Sequence, residues 1–298
     1  MNKMEYNTIC MSGGGIKGFS FIGALDYLNK KKFINTDNIK NWVGTSIGSI
    51  IAYVFVCGFS IIEMENFIIE FDFTKINPDI SIDNIFNNHG ISDGKRAEFI
   101  LRSFIQHKFN VDDITFAELY KLTNKNLLII GTNFTHAREE VFSHTNTPDM
   151  SVITAVRISM SIPVFFTPVL YNNCYYVDGS IKNNFPIKYC NKYTTIGLYV
   201  RNNNDTCNNE ISSIVSIILG CANIIADTIN HKDIHLCDTI IQIDNYKHEM
   251  VNFDFTIDTK MKLLKLGHKY AKKFIKDLPR KICIAIINKI IDDVCNFI

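Results

Sequence analysis

Asn41-Trp42-Val43-Gly44-Thr45-Ser46-Ile47-Gly48-Ser49-Ile50-Ile51-Ala52-Tyr53-Val54-Phe55-Val56-Cys57 is the stretch on which the fold turns. A short apolar run ends at Gly44, a serine follows among small residues, and an apolar run of helical length continues to Gly58. The order is strand, sharp turn, helix. Gly44-Thr45-Ser46-Ile47-Gly48 matches G-x-S-x-G, in which small neighbours let the chain turn tightly and lift the serine hydroxyl out of the sheet. Such pentapeptides also arise by chance. The strand end before this one and the apolar helix after it are the context that an elbow demands. The segment 41–62 carries no charge over 22 residues, long enough to span a bilayer. Gly44, Thr45, Ser46, Gly48 and Ser49 spoil it as a lipid-facing helix, so a buried strand, a turn and a buried helix are expected.

Upstream, Asn7–Met11 reads as a short buried strand that runs into Ser12-Gly13-Gly14-Gly15-Ile16-Lys17-Gly18. A glycine-rich turn between a strand and a helix frees backbone N–H groups beside a helix N-terminus, which suits an anion or an oxyanion. Lys17 adds a positive charge. The same glycines (13, 15 and 18) also satisfy G-x-G-x-x-G, so a dinucleotide-binding oxidoreductase is the rival from another enzyme class. That fingerprint wants an acid closing the second strand. Asp37 is near the right distance but precedes the strand, which ends in Gly-Thr-Ser instead. A phosphate loop of Walker type fails because Lys17 is followed by glycine.

Downstream, Tyr175-Tyr176-Val177-Asp178-Gly179-Ser180 sets an acid at the end of a strand. Strand ends are where parallel α/β proteins gather their reactive residues. Strand-like runs recur at 126–134, 140–142, 195–200 and 238–243, and helical patterns at 19–31, 47–57, 61–71, 95–109, 115–120, 151–159, 211–230 and 259–276. This alternation argues an α/β fold with a mainly parallel sheet. Asp93 and Asp149 are the expected caps of the helices that follow them, and Pro279 is expected to end the helix 259–276. Residues 72–124 are expected to shape a pocket or a lid.

Composition narrows the class. Hydrophobic residues make up 47% of the 298, enough for a large core, which excludes a disordered chain. Lys plus Arg is 31 against 30 Asp plus Glu, too balanced for a wholesale nucleic-acid binder. Nine cysteines, an odd number without a CxxC pair, point to reduced thiols in a cytoplasmic setting. No signal peptide is visible, because the apolar stretch 6–11 is short and runs into glycines.

With these motifs in hand, the chain resembles the patatin-like phospholipase family, whose signatures are a glycine-rich oxyanion loop, a G-x-S-x-G elbow and an Asp-Gly motif in that order. Here they read SGGGIKG (12–18), GTSIG (44–48) and DGS (178–180). Ala155–Pro168 looks like the family's Ala/Ser-rich segment before proline, and Asn183-Asn184-Phe185-Pro186 matches its Asn-x-Pro. The resemblance covers roughly 6–200. Ser180 departs from the usual Gly or Ala, at a position expected to touch no catalytic atom.

The resemblance implies a three-layer α/β/α fold and a Ser–Asp dyad. Ser46 would attack an ester carbonyl and Asp178 would take its proton. Gly13, Gly14, Gly15, Lys17 and Gly18 would form the oxyanion loop, Gly44 and Gly48 the elbow, and Gly179 and Ser180 the rest of the Asp-Gly motif. An acyl-enzyme on Ser46 would follow, and no metal or organic cofactor is implied. The expected substrate is a phospholipid or another acyl lipid, with no nucleic-acid partner.

Several alternatives remain beside it. His231, His235, His248 and His268 follow Asp178 and allow a Ser-His-Asp order, though none has a distinctive context. HKDIHLC (231–237) lacks the glutamate of HExxH. A silent lipid-binding protein on the same fold is a third function class. The expected domains are a catalytic core, 1–200, and a C-terminal extension, 201–298, of helices plus a last strand. The lysine-rich helix 259–276 is read as core-packed with a solvated face, or as a peripheral membrane contact, and the segment 281–298 as packing on the core, pairing two chains or touching lipid.

Overall fold

The computed structural model describes residues 5–76, 87, 89–202, 233–245 and 256–295, and of residues 202, 245 and 279–295 the backbone alone. In chain order the strands and helices are β1 (Thr8–Met11), α1 (Phe19–Lys30), β2 (Asn41–Thr45), α2 (Ile47–Val56), α3 (Ile61–Glu70), β3 (Gly90–Ser92), α4 (Lys95–Phe109), α5 (Phe116–Thr123), β4 (Asn126–Asn133), β5 (Arg138–Phe142), α6 (Val152–Ser159), β6 (Val164–Phe166), β7 (Val169–Tyr171), β8 (Cys174–Asp178), β9 (Thr195–Asn202), β10 (Ile240–Asn245) and α7 (Ile257–Cys295). A single helical turn, Ser180–Asn183, follows β8.

The central sheet pairs in the order β10-β9-β1-β2-β4-β8-β7, with β2 and β8 end to end along one edge of β4 and β5 on its other edge. From β10 to β4 all pairings are parallel. Beyond β4 the sheet turns antiparallel. Side chains alternate across a strand, and the buried strands use both faces. Ile9, Met11 and Trp42 pack into the large core with α1, α2 and α3, while Cys10 and Val43 pack on the other face with Phe185, Ile187 and Tyr199. This is the α/β architecture expected, a central sheet flanked by helices. The uncharged stretch 41–62 is β2, a turn, α2 and the start of α3, and among the described residues no helix is long and apolar enough to cross a membrane.

α7 lies against α1 at very short range. A Cβ on Gly267 would stand 1.8 Å from the Ser20 carbonyl oxygen, and one on Gly23 would stand 2.0 Å from that of Leu264. The two glycines therefore let the helix backbones touch. Asp26, buried at this contact, receives His268 Nε2 at 2.5 Å and Lys30 Nζ at 2.7 Å. Farther along, buried Lys260 donates to the carbonyls of Ile69 (3.1 Å) and Phe71 (2.6 Å), which ties α7 to the C-terminal end of α3.

Four local expectations are corrected. The α4 cap position is Gly94, in the left-handed region, while Asp93 accepts the Lys95 N–H from one residue farther out. Ser151 rather than Asp149 caps α6, through the Thr154 N–H. The helix after 115 is longer than expected, since Thr115 and Glu118 form a capping box that supports it to Thr123. Pro279 does not end α7, whose backbone is helical through Cys295. Proline removes one N–H and crowds one carbonyl, and the helix-forming sequence on both sides carries the helix across that loss. Residues 211–230, His231, His248, Asn203–Asn209 and the end of the segment 281–298 lie outside the described residues.

Candidate active site

β2 delivers Ser46 at its end, and α2 begins at the next residue. Ser46 has φ 54° and ψ −125°, a strained combination for a residue with a side chain. The flanking glycines are explained by backbone rather than side-chain contacts. A Cβ on Gly44 would stand 2.3 Å from the Gly48 carbonyl carbon, and one on Gly48 would stand 2.5 Å from the Met11 carbonyl oxygen. The elbow thus sits directly on the end of β1. Ser49 Oγ donates to the Ser46 carbonyl at 2.6 Å, and the Ser46 N–H donates to Ser159 Oγ at 2.9 Å.

Asp178 ends β8, 1% exposed. Ser46 Oγ donates to its Oδ2 at 2.7 Å, and the Ser180 N–H donates to its Oδ1 at 2.8 Å. Burial pushes the carboxyl up to about 6, and the hydrogen bonds from Ser180 and Ser46 hold it down against that push. Ser180 therefore touches the carboxylate, contrary to expectation. Its amide follows the Asp-Gly turn, and Gly179 packs there because a Cβ would meet the Ile130 carbonyl oxygen at 2.3 Å. β8 is antiparallel to β4, so the acid does not lie at a parallel strand end. It returns to the site through the hairpin from β7.

The glycine loop passes beside the serine. A Cβ on Gly13 would stand 2.3 Å from Asn184 Oδ1 and 3.2 Å from Ser46 Cβ. The Gly13 N–H is committed to the Asn184 carbonyl at 3.0 Å, which removes it from the expected oxyanion donors. Gly14 and Gly15 have φ 157° and 57°, and Gly15 opens a single helical turn to Gly18. Gly18 lies under the elbow, 2.6 Å from the Ile47 side chain at its Cβ position. Lys17 is buried, and it is not among the residues that line the cavity described next. Asp37 sits exposed in a short turn before β2, away from a dinucleotide acid's place at a strand end.

Ser46 opens onto an apolar cavity of about 130 Å³. Gly15, Ile16 and Phe19 line it from the glycine loop, Ile47 to Val54 from α2, Met64 to Ile68 from α3, and Ala97 to Phe104 from α4. Phe73, Ile76, Met160, Ile162 and Phe166 complete the wall. Residues of 72–124 thus shape this pocket.

Sequence reasoning assigned no role to the residues that hold the parts together. Ser159 accepts the Ser46 N–H through its hydroxyl, while its carbonyl takes the Gly179 N–H (3.4 Å) and the Ser161 carbonyl takes that of Asp178 (2.8 Å). Arg157, 2% exposed, binds Ser161 Oγ, the Asp93 carbonyl (3.0 Å) and the Thr167 carbonyl (3.1 Å), with its guanidinium over Phe166. Gly94 is glycine because a Cβ would collide with this guanidinium at 2.1 Å. Val164, in the same segment of chain, has φ 69°, rare for a β-branched residue. The signal for all of these was the segment 155–168, noticed as a motif but not as chemistry. His268 is taken by Asp26, and the carboxylate, not an imidazole, meets Ser46. Among the described residues the His/Cys/Asp/Glu grouping compact enough for a metal is Asp26, Glu65 and His268, whose Asp26 is already held by Lys30.

Comparison with known proteins gives a family and a fold. The family profile described as patatin-like phospholipase matches residues 9–190. "Probable lipid hydrolase 463L" of Invertebrate iridescent virus 6 is 31% identical over 193 residues, 63% of this chain and 64% of the relative. "Uncharacterized protein R571" of Acanthamoeba polyphaga mimivirus is 32% identical over 209 residues, 69% of each. The chain thus spans somewhat under two thirds of the first relative's length. The crystal structure of VipD from Legionella pneumophila shares the fold, with a TM-score of 0.59 at 16% identity, over 92% of this chain and 67% of that one.

Proposed function

The chain belongs to the patatin-like phospholipase family, and from that premise we propose that it hydrolyses fatty acyl esters of phospholipids or related lipids, with Ser46 as nucleophile and Asp178 as base. The observation that carries this reading is the 2.7 Å hydrogen bond from Ser46 Oγ to buried Asp178 Oδ2 at the mouth of an apolar cavity.

In this reading an acyl chain enters the cavity and its ester carbonyl stops at Ser46. Ser46 Oγ bonds to the carbonyl carbon and gives its proton to Asp178 Oδ2. An ordinary aspartate is a poor base; a carboxyl near 6 is better matched to a proton transfer at neutral pH. The amides of Gly14 and Gly15 and the N-terminus of α2 face the developing oxyanion, where one lost donor costs about 3 kcal/mol. The tetrahedral adduct breaks its bond to the alcohol oxygen, which leaves with the proton from Asp178. Water then attacks the acyl-Ser46 carbonyl, gives one proton to Asp178 and releases the fatty acid, as that proton returns to Ser46.

The test is labelling by a fluorophosphonate, read by mass spectrometry on the wild type, Ser46→Ala and Asp178→Asn. Adduct on Ser46 that disappears in both variants is the expected result. Equal labelling of Ser46→Ala would end the assignment. No labelling in any of the three, even with liposomes, would favour a silent lipid-binding protein.

A further inference from the structure

α7 carries seven lysines and two aspartates between 257 and 278. Lys260 is buried; Lys262, Lys265, Lys269, Lys272, Lys273 and Lys276 are exposed. At 3.6 residues per turn these six fall within an arc of about 100°, over a length of about 21 Å. The arc lies opposite the buried stripe of Leu263, Gly267, Ala271 and Phe274. A solvated helix face ordinarily mixes charges that pair at i, i+4. Here Asp258 is the one carboxylate on the arc, and it is used by Lys262 at 2.5 Å. Lys265, Lys269, Lys272, Lys273 and Lys276 make no ion pair with an acid among the described residues.

Two further observations select the partner. Lys31 and Lys32, exposed just past the end of α1, add two cations on the helix that packs against α7. Tyr27 and Phe33 on either side of them contact His268 and Phe274. At the other end of the stripe, Met261 is 40% exposed beside the edge of the same arc, and Ile257, 58% exposed, lies farther round on the flank. That end is the one Lys260 fastens to the carbonyls of Ile69 and Phe71, next to cavity residues Phe67, Ile68 and Phe73. Of the acids nearby, Asp26 and Glu65 cluster at His268 on the flank, and exposed Asp72 stands near Lys260.

We propose that the lysine face of α7 is a docking surface for an anionic lipid bilayer, with exposed Met261 at its margin entering the interface beside the cavity wall. The proposal rests on the hydrolase reading, because an enzyme acting on lipid aggregates must sit on one. Basic residues near an anionic leaflet each contribute about fivefold in partitioning. Exposed apolar side chains at one end suit the acyl boundary of a bilayer.

The experiment is co-sedimentation of the full chain with phosphatidylcholine vesicles, with and without phosphatidylserine. The wild type is compared with Lys265→Glu/Lys269→Glu/Lys272→Glu, with Met261→Ser, and with Lys121→Glu on another exposed helix as control. Thermal melts check folding, and fluorophosphonate labelling of Ser46 in detergent-free solution is measured alongside. The expected result is salt-sensitive binding to the anionic vesicles only. The triple variant should lower it about a hundredfold, and the Met261 variant several-fold with unchanged salt sensitivity. Lys121→Glu should bind as wild type, and all should label equally at Ser46. Unchanged binding by the triple variant overturns the proposal. So does wild-type binding to heparin or an RNA oligonucleotide without binding to vesicles. Loss of Ser46 labelling in every protein with vesicle binding retained would overturn the hydrolase and leave the surface standing.

Discussion

Ser46 and Asp178 meet because their strands end head to head on one edge of β4. Thr45, just before the serine, pairs with Ile130, and Asp178 pairs with the next residue, Gly131. β5 overlaps both pairings on β4, over 129–133. It must therefore hold the opposite edge alone, so β2 and β8 share the other. β2 runs parallel to β4 and β8 runs antiparallel, and both C-terminal ends stop at the same step of the ladder. The dyad's spacing is thus a register property of the sheet.

The pH profile follows from the burial of Asp178. As a base it must be ionised, so kcat/KM should fall below about pH 6, tenfold per pH unit. A pH–rate measurement with a soluble short-chain ester checks this. A flat profile between about pH 5 and 7 would remove Asp178 as the base.

The same shift has a stability consequence of opposite sense. A carboxyl whose pKa rises on folding, from 3.8 to about 6, holds its proton more tightly in the folded state. Its charged form therefore costs stability above about pH 6, on the order of 3 kcal/mol, and the cost fades as pH falls towards 4. Asp178→Asn should be inactive yet melt higher than wild type at pH 8, with the advantage gone near pH 4.

Ser159→Ala leaves the Ser46 N–H without its acceptor inside the elbow. A lost buried hydrogen bond costs roughly 1–3 kcal/mol. Because this one orients the nucleophile, kcat should fall about tenfold or more, with KM nearly unchanged. Ser159→Cys, which keeps a weak acceptor, should recover part of the rate. Equal loss in kcat and thermal stability, without a kinetic split, would mark Ser159 as merely structural.

Ile100→Trp should narrow the cavity from the α4 side. Hydrolysis of long-chain esters should drop at least tenfold relative to short-chain ones, read as the ratio of kcat/KM across a chain-length series. A uniform drop at all lengths would place the acyl chain elsewhere.

Gly267→Ala tests the α1–α7 contact. Its Cβ meets backbone, not a flexible side chain, so the helices must separate. Overpacking of this kind costs about 1–3 kcal/mol or more, to be seen as a lower midpoint in urea unfolding.

Some errors of the sequence reading share one cause. β3, β6 and β7 have three residues each, too few for periodicity to register. Gly94 and Ser151 are caps because of where α4 and α6 happen to start, one or two residues beyond the acids that pattern alone would choose. Ser159 and Arg157 looked like motif residues without a task, since partners such as Ser46 and Asp93 are distant in sequence.

What the sequence determined by itself is whatever local chain geometry imposes. The elbow at 44–48 and the turn at 13–18 need glycines where backbone meets backbone, and apolar runs of strand or helix length name the elements around them. What only the tertiary structure decided is which distant groups share a hydrogen bond. The commitment of the Gly13 amide to the Asn184 carbonyl, of the Ser46 N–H to Ser159 and of Ser46 Oγ to Asp178 all depend on register and packing. A hydrogen bond depends on positions held to fractions of an ångström, and in this chain those positions are set by strands and helices that the sequence keeps more than a hundred residues apart.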